Sequence, residues 1–251
     1  MNDRRETKAI LIFVRHPKPG QVKTRLAKGI GNENACIIYD NCARRIMREM
    51  AKLPGTTCYV FFSVAEEKVE VERWIRDIGV FGQGPELYPQ KQVANLGSRI
   101  VDAFQTVYRL GHKVIGIVGT DIPDLSSDVV CQAYEALDAM ESCSDSPRGI
   151  LGPSIDGGFY LMLLDFGVRG SSFEIPDDLF DGVLWSNERT MNDTVDALVQ
   201  KGFDLDQVSI LPTLRDIDEL EDLKIWCHEQ EKNCSNDEML QLATRVLTNT
   251  S

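Results

Sequence analysis

The stretch Val114-Ile115-Gly116-Ile117-Val118-Gly119-Thr120-Asp121-Ile122-Pro123 constrains the fold of this chain more than any other. An apolar run with no polar alternation predicts a strand buried on both faces, and such strands belong to sheets covered by helices on either side. The strand runs out on an aspartate, and Pro123, which has no N–H to give a ladder, stops it. Ligand sites of open α/β sheets gather just beyond the carboxyl ends of the strands. Asp121 therefore stands where a carboxylate can hold a hard cation, which prefers oxygen ligands. A second stretch, Gly152-Pro153-Ser154-Ile155-Asp156-Gly157-Gly158-Phe159-Tyr160-Leu161, sets Asp156 before paired glycines and then re-enters a strand. Two carboxylates at strand ends point to metal-assisted chemistry on a phosphate-bearing ligand.

Around these stretches the pattern alternates strand and helix almost to the end. Ala9–Val14 reads as a strand, and Ile38, Cys42, Ile46 and Leu53 mark one face of a long helix. Thr57–Val64 reads as a strand, followed by a charged helix through Trp74. Gly79–Asn95 reads as irregular because Gly82, Gly84, Pro85 and Pro89 break it. Leu96, Ile100, Ala103, Phe104 and Val107 recur at helix spacing up to Gly111, and Ser126-Ser127-Asp128 opens the next helix. Glu141–Arg148 is polar and reads as a surface loop. Short strands bracket the Asp156 turn, Glu188–Lys201 is a helix closed by Gly202, and Val208–Leu211 is the last strand before two terminal helices. Strands separated by helices predict an α/β fold with a mainly parallel central sheet and helices on both faces. With no repeat and no long linker, residues 1–251 read as one domain.

The loop after the first strand, Arg15-His16-Pro17-Lys18-Pro19-Gly20-Gln21-Val22-Lys23-Thr24-Arg25, carries a local concentration of positive charge. Lys18, Lys23 and Arg25 supply mobile and bidentate charge for phosphate oxygens, and a strand-to-helix loop presents backbone N–H groups to an anion. It is not a P-loop, and the chain has no G-x-G-x-x-G. An ordinary proline-kinked surface loop is the plain alternative. For Asp121 the alternative is a turn or capping role, but Ser126 and Ser127 are better placed to cap, and Asp124 is the better turn former. Asp156 could also be a turn former, with Gly157 supplying a positive φ; the paired glycines equally allow close approach of backbone to a ligand. In Asp216-Ile217-Asp218-Glu219-Leu220-Glu221, Asp218 fits a helix cap with Glu221 closing a capping box, or either aspartate fits metal binding.

A net charge of −12 excludes a general nucleic-acid binder, whose phosphate contacts need a basic footprint. Seven cysteines without C-x-x-C or zinc spacing fit reduced thiols. There is no apolar leader after Met1 and no run near the roughly 18 apolar residues of a membrane span, so a soluble cytoplasmic protein is expected. His16, His112 and His228 show no ligand spacing, and Trp74, Trp185 and Trp226 are read as core or rim residues.

Taken in order, Pro17-Lys18-Pro19-Gly20…Lys23-Thr24-Arg25-Leu26, Gly119-Thr120-Asp121-Ile122-Pro123-Asp124-Leu125, Gly152-Pro153…Asp156-Gly157-Gly158-Phe159-Tyr160-Leu161, Leu179-Phe180…Trp185-Ser186 and Asp216–Leu223 resemble the bacterial DUF2064 family. That family is also described as radical-SAM/selenodomain-associated transferase 1, or as arsenosugar-biosynthesis-type glycosyltransferases, within the nucleotide-diphospho-sugar transferase superfamily. The resemblance implies a GT-A-like fold and a transferase using a nucleotide or nucleotide-sugar donor with a small-molecule acceptor. It implies nucleotide binding by Lys18, Gly20, Lys23 and Arg25, with Gly97 in a segment like the base-reading one of sugar nucleotidyltransferases. It further implies a Mg²⁺ or Mn²⁺ on Asp121 and Asp218, substrate contacts from Asp156, Gly157 and Gly158, and catalytic roles for Asp156 and Lys23. Two departures stand out. Glu219-Leu220 replace the Thr-Pro usual in the last motif, and the first loop lacks the glycine-rich signature of ordinary nucleotidyltransferases. Sugar transfer, nucleotidyl transfer with release of pyrophosphate, and a binding protein without turnover all stay open at this point.

Overall fold

The computed structural model describes residues 8–81, 85–140, 146–168, 173–205, 211–233 and 237–250. Its strands are β1 (Lys8–Val14), β2 (Thr56–Phe62), β3 (Glu86–Pro89), β4 (Val114–Val118), β5 (Arg148–Pro153), β6 (Phe159–Asp165) and β7 (Asp204–Leu205). They form one sheet in the order β3-β2-β1-β4-β6-β5-β7. Every pairing is parallel except those of β6, which runs antiparallel to both β4 and β5. The helices are α1 (Thr24–Ile30), α2 (Asn32–Met50), α3 (Lys68–Ile78), α4 (Leu96–Arg109), α5 (Ser127–Ala139), α6 (Thr190–Gln200), α7 (Leu220–Asn233) and α8 (Glu238–Thr250).

Burial on both faces follows from the apolar strands. Ile10, Ile12 and Val14 of β1 and Val114 and Val118 of β4 pack on one side with α2, α5, α7 and α8. Ala9 and Leu11 with Ile115 and Ile117 pack on the other, against Phe104 of α4 and Leu198 of α6. Successive residues of a strand point to opposite faces, so an unbroken apolar run is what two covered faces require. Gly116 pairs with Ile10 across β1 and β4, and a Cβ there would lie 2.7 Å from the Ile10 side chain. The two central strands pack closely because this residue is glycine.

Two expectations change, and a third falls largely outside the described residues. Residues 79–95 are not wholly irregular, because β3 occupies four of them at the sheet edge, where the missing N–H of Pro89 is tolerated. The helix expected from Glu188 starts at Thr190. The expected strand over 208–211 lies outside the described residues but for Leu211; the two-residue β7 holds the sheet edge beside β5. The polar stretch 141–148 falls largely outside the described residues too. As expected, Ser126 caps α5, its hydroxyl accepting from the Val129 N–H.

The C-terminal helices are tied to the sheet through Asp124. Its carboxylate accepts from the Trp226 indole N–H and the Gln230 amide, both at 3.0 Å, and Trp226 is fully buried. Asp124 stands in the turn closed by the Leu125 N–H on the Ile122 carbonyl at 3.1 Å, as expected, and it also anchors α7. Burial raises its pKa even though the Trp226 bond favours the charged form. Replacing Asp124 by Ala strands the indole N–H in the core, at a cost of about 1–3 kcal/mol. The expected result is a lower denaturant midpoint with unchanged slope; an unchanged midpoint would show that the anchor contributes nothing.

Candidate active site

The carboxyl ends of β1, β2, β3, β4 and β5 open on one groove. Arg15 follows β1, Ser63 follows β2, Gln90 follows β3, Gly119-Thr120-Asp121 follow β4, and Ser154 follows β5. All of them line one of two adjoining lobes, of about 390 Å³ and about 450 Å³, which share Phe13, Arg25, Leu96, Gly119, Asp121 and Asp218.

The β1–α1 loop begins with a tight turn. The Gln21 N–H bonds the Lys18 carbonyl at 3.0 Å, with Pro19 and a positive-φ Gly20 at the two central positions, as a type II turn requires. Lys23 follows in the left-handed region at φ 46°, unusual for a residue with a side chain. That strain, of about 1–3 kcal/mol, persists only where the surroundings fix the residue. They do so here, since the Lys23 ammonium lies 2.6 Å from Asp218 and 3.3 Å from Asp121, with its side chain only 7% exposed. Burial alone would depress the ammonium pKa; Asp121 and Asp218 overcome it and hold Lys23 well above its ordinary value. Asp218 is held low in turn, because Lys23 and Arg25 outweigh its own burial. Arg25 also pairs with Asp218, but as an exposed side chain it adds little to stability.

Asp218 is therefore not a helix cap. The Asp222 carboxylate takes the N–H groups of Asp218 and Glu219, at 3.1 and 2.8 Å, so the cap comes from Asp222 and not from Glu221. This leaves the Asp218 oxygens to face the cations. The segment is registered against the sheet by the Ile217 N–H on the Asp121 carbonyl at 3.0 Å. A second brace comes from α2. The Tyr39 hydroxyl accepts from the Arg15 N–H at 2.8 Å and lies 3.1 Å from the Thr120 hydroxyl, joining the ends of β1 and β4. Burial pushes its pKa up to about 12.

Asp156 sits in a tight turn of its own. One carboxylate oxygen accepts from the Ser154 hydroxyl at 2.5 Å and the Gly158 N–H at 2.9 Å. The other oxygen has no partner among the described residues. The room at Gly157 is filled by the chain itself, since a Cβ there would lie 2.2 Å from the Glu188 carbonyl oxygen. Close approach at the paired glycines is therefore chain on chain, which fixes Glu188 beside Asp156. Asp216 lies in the same lobe. Burial first, and then Asp156, Asp218 and Asp121, push its pKa up to about 6.

The groove thus gathers Lys23, Arg25, Asp121, Asp156 and Asp218, with Gly158 on its wall. It does not include the other expected residues. Lys18 turns away to pair with Glu67 at 2.6 Å, Gly20 serves the turn, and Gly97 packs where a Cβ would meet Phe180 and Trp185 at 3.0 Å. The sequence reading missed Arg99, Tyr39, Trp185 and Glu188, and gave Arg15 no role. Arg99 stands three residues after Leu96 on α4, a spacing that puts both on one helix face. Its guanidinium donates to Gln90 at 3.2 Å, its Nε has no partner among the described residues, and burial and Arg15 lower its pKa. Positive charge at this end of the groove is thus incompletely compensated.

Among the described residues, no three His, Cys, Asp or Glu side chains cluster as a ready metal site. What the groove does offer a divalent cation is hard oxygen donors. Asp121 and Asp218 share one ammonium, and the nearby Asp216 is crowded enough to bind a proton near neutrality. That surplus of carboxylate charge fits one more cation.

A family model described as an uncharacterized protein conserved in bacteria (DUF2064) matches residues 46–187, more than half of the chain. The chain belongs to the DUF2064 family. Among solved structures, this DUF2064 protein is similar to a "putative nucleotide-diphospho-sugar transferase" from Desulfovibrio desulfuricans G20. The two share 25% identity over 98% of this chain and 97% of the other, with a TM-score of 0.77. A cytidylyltransferase from Leptospira borgpetersenii shares the fold at 13% identity, 98% and 95% coverage and a TM-score of 0.53. So does a 4-diphosphocytidyl-2C-methyl-D-erythritol synthase from Anaerococcus prevotii, at 6% identity, 92% and 100% coverage and a TM-score of 0.51. No curated protein matches this DUF2064 chain in sequence. The fold is that of the nucleotide-diphospho-sugar transferases. Among the described residues, no helix is long and apolar enough to cross a membrane.

The raised pKa of Asp216 has a sign that can be tested. A carboxyl that titrates near 6 folded and about 3.9 unfolded destabilises the fold when ionised, and the penalty disappears as pH falls through 6 toward 4. With a chelator present, Asp216→Asn is expected to stabilise the protein at pH 8 by about 1–2 kcal/mol after solvent screening, and by nothing at pH 4. Equal effects at both pH values in denaturant titrations would show that the crowding is not felt.

Proposed function

We propose that this DUF2064 protein is a metal-dependent transferase using a nucleotide or nucleotide-sugar donor, acting as a glycosyltransferase. The observation that carries this reading is the polarity of the groove: Arg15, Lys23, Arg25 and Arg99 line one lobe, and Asp121 and Asp218 stand at the seam with the next. Cations converging on strand ends are what a diphosphate needs. The likeness to a nucleotide-diphospho-sugar transferase over nearly the whole of both chains supports the same reading.

In this reading the donor diphosphate lies along Arg15, Lys23, Arg25 and Arg99. Asp121 and Asp218 are the residues that would hold Mg²⁺ or Mn²⁺, which when bound would supply charge neutralisation for the leaving diphosphate. Lys23 leaves its carboxylates for phosphate oxygens and acts as an electrostatic stabiliser. The acceptor enters the second lobe. Its hydroxyl oxygen bonds to the anomeric carbon of the sugar, and the bond from that carbon to the diphosphate oxygen breaks. The electron pair leaves on the nucleoside diphosphate, and the hydroxyl proton passes to the free oxygen of Asp156. Nucleotidyl transfer, the second reading, would consume a nucleoside triphosphate and release pyrophosphate.

A thermal-shift panel of NTPs, NDPs and NDP-sugars, with and without Mn²⁺, tests this directly, because a ligand of the folded state raises the midpoint by mass action. One nucleotide class is expected to give a Mn²⁺-dependent shift that Asp121→Asn abolishes and Lys23→Gln reduces. Product analysis then reads NDP for sugar transfer or pyrophosphate for nucleotidyl transfer. A well-folded protein that no nucleotide shifts would sink the transferase reading and leave a binding protein without turnover.

A further inference from the structure

The two lobes differ in charge as well as in position. The first is lined by Arg15, Lys23, Arg25 and Arg99 against two carboxylates. The second is lined by Asp121, Asp156, Glu188, Asp216 and Asp218, with Arg25 as its one cation among the described residues. Asp121 and Asp218 pair with Lys23, and Asp218 also with Arg25. Asp156, Asp216 and Glu188 have no ion-pair partner among the described residues. A divalent cation on Asp121 and Asp218 would leave Asp156 and Glu188 as they are.

The rest of this lobe mixes neutral polar side chains, Ser154, Ser186, Asn187 and Thr190, with an apolar part. Phe13, Ile100, Ile117, Phe159 and Trp185 line it, and the rings of Phe159 and Trp185 meet edge to face at 6.4 Å. The Trp185 indole N–H is buried and has no hydrogen-bond partner among the described residues. Next in the chain to lining residues are Ile155 and Leu184, which are 51% and 61% exposed.

A phosphate monoester brings a charge of about −1.5 to −2 at pH 7. Each unneutralised carboxylate about 6 Å away weakens binding of a unit negative charge by about threefold even at the dielectric of water. The Glu188 backbone is held in place by the Gly157 turn packed against it, and its exposed side chain lines the mouth of the lobe. The geometry points to an acceptor that is an uncharged hydroxyl compound with an apolar ring or chain, seated on Trp185 and Phe159, with phosphorylated acceptors rejected by Glu188 and Asp156. This inference rests on the transferase reading above and narrows it, since a nucleotidyl transfer that builds a diphosphate bond needs an anionic acceptor.

Four probes separate charge from apolar contact: phenyl β-D-glucoside, its 6-phosphate, glucose, and glucose 6-phosphate. Each is titrated by ligand-observed NMR, with and without the nucleotide that shifts the midpoint most; bound nucleotide keeps phosphorylated probes out of the cationic lobe. Phenyl glucoside is expected to bind more tightly than glucose, and its 6-phosphate about thirty- to eightyfold more weakly than the parent, from the threefold step for each of two carboxylates on each unit of phosphate charge. Glu188→Lys is expected to close that gap by about thirty- to eightyfold, and Glu188→Gln by about five- to ninefold, both leaving the nucleotide shift unchanged. A 6-phosphate that binds as tightly as its parent, a gap indifferent to both Glu188 variants, or failure of phenyl glucoside to bind would each overturn the inference. Absence of any nucleotide shift, by contrast, is the failure of the transferase reading, and the probe titrations on the bare protein still report on the lobe.

Discussion

One ammonium group joins the parts of this groove. Lys23 comes from the loop after β1, Asp121 from the end of β4, and Asp218 from the segment before α7, so the three are far apart in sequence and meet only when the sheet has formed. The ammonium is nearly dry, while its partners Asp218 and Asp121 keep 25% and 45% of their side chains exposed. Taking away both carboxylates would leave a buried charge unpaired, the costly case, so the cluster holds its geometry against the strain at Lys23. The same arrangement places the ammonium beside Asp121 and Asp218, which line both lobes.

The surroundings are organised to keep that contact in place. Tyr39 ties the loop after β1 to the residues after β4, and the Ile217–Asp121 backbone bond registers the C-terminal segment against the same strand. Asp124 fastens α7 behind it. Antiparallel β6 matters as well. It returns the chain beside β4, so the Asp156 turn between β5 and β6 opens at the same edge of the sheet as Asp121. Charge of opposite sign on the two sides of one seam results from this topology.

Much of this was legible from local pattern. The apolar run ending in Asp121, the basic loop around Lys23 and the glycine turn after Asp156 each announce a strand end with polar chemistry beyond it, and the groove contains all three. Where the reading failed, the reason is local too. β3 has four residues between breakers, too short for a period to show. Lys18 looks like Lys23 in sequence, but the type II turn at Pro19-Gly20 points them to different neighbours, Glu67 for one and the aspartates for the other. Asp218 and Glu221 fit a capping box by spacing, yet Asp222 makes the bonds because Asp218 is already claimed by cations.

The sequence by itself determined the class of fold and the edge of the sheet where ligands would be met, since both follow from periodicity and from where apolar runs stop. It also determined which segments carry charge. Only the tertiary structure decided which charges face one another. Arg99, Trp185 and Glu188 enter the groove from segments whose pattern records burial or exposure but no direction. The division into a cationic and an acidic, aromatic lobe is likewise invisible in a chain whose net charge is −12, because that sum does not record position. Electrostatic selectivity depends on distances of a few ångströms across the fold, and those are set by strand order and packing.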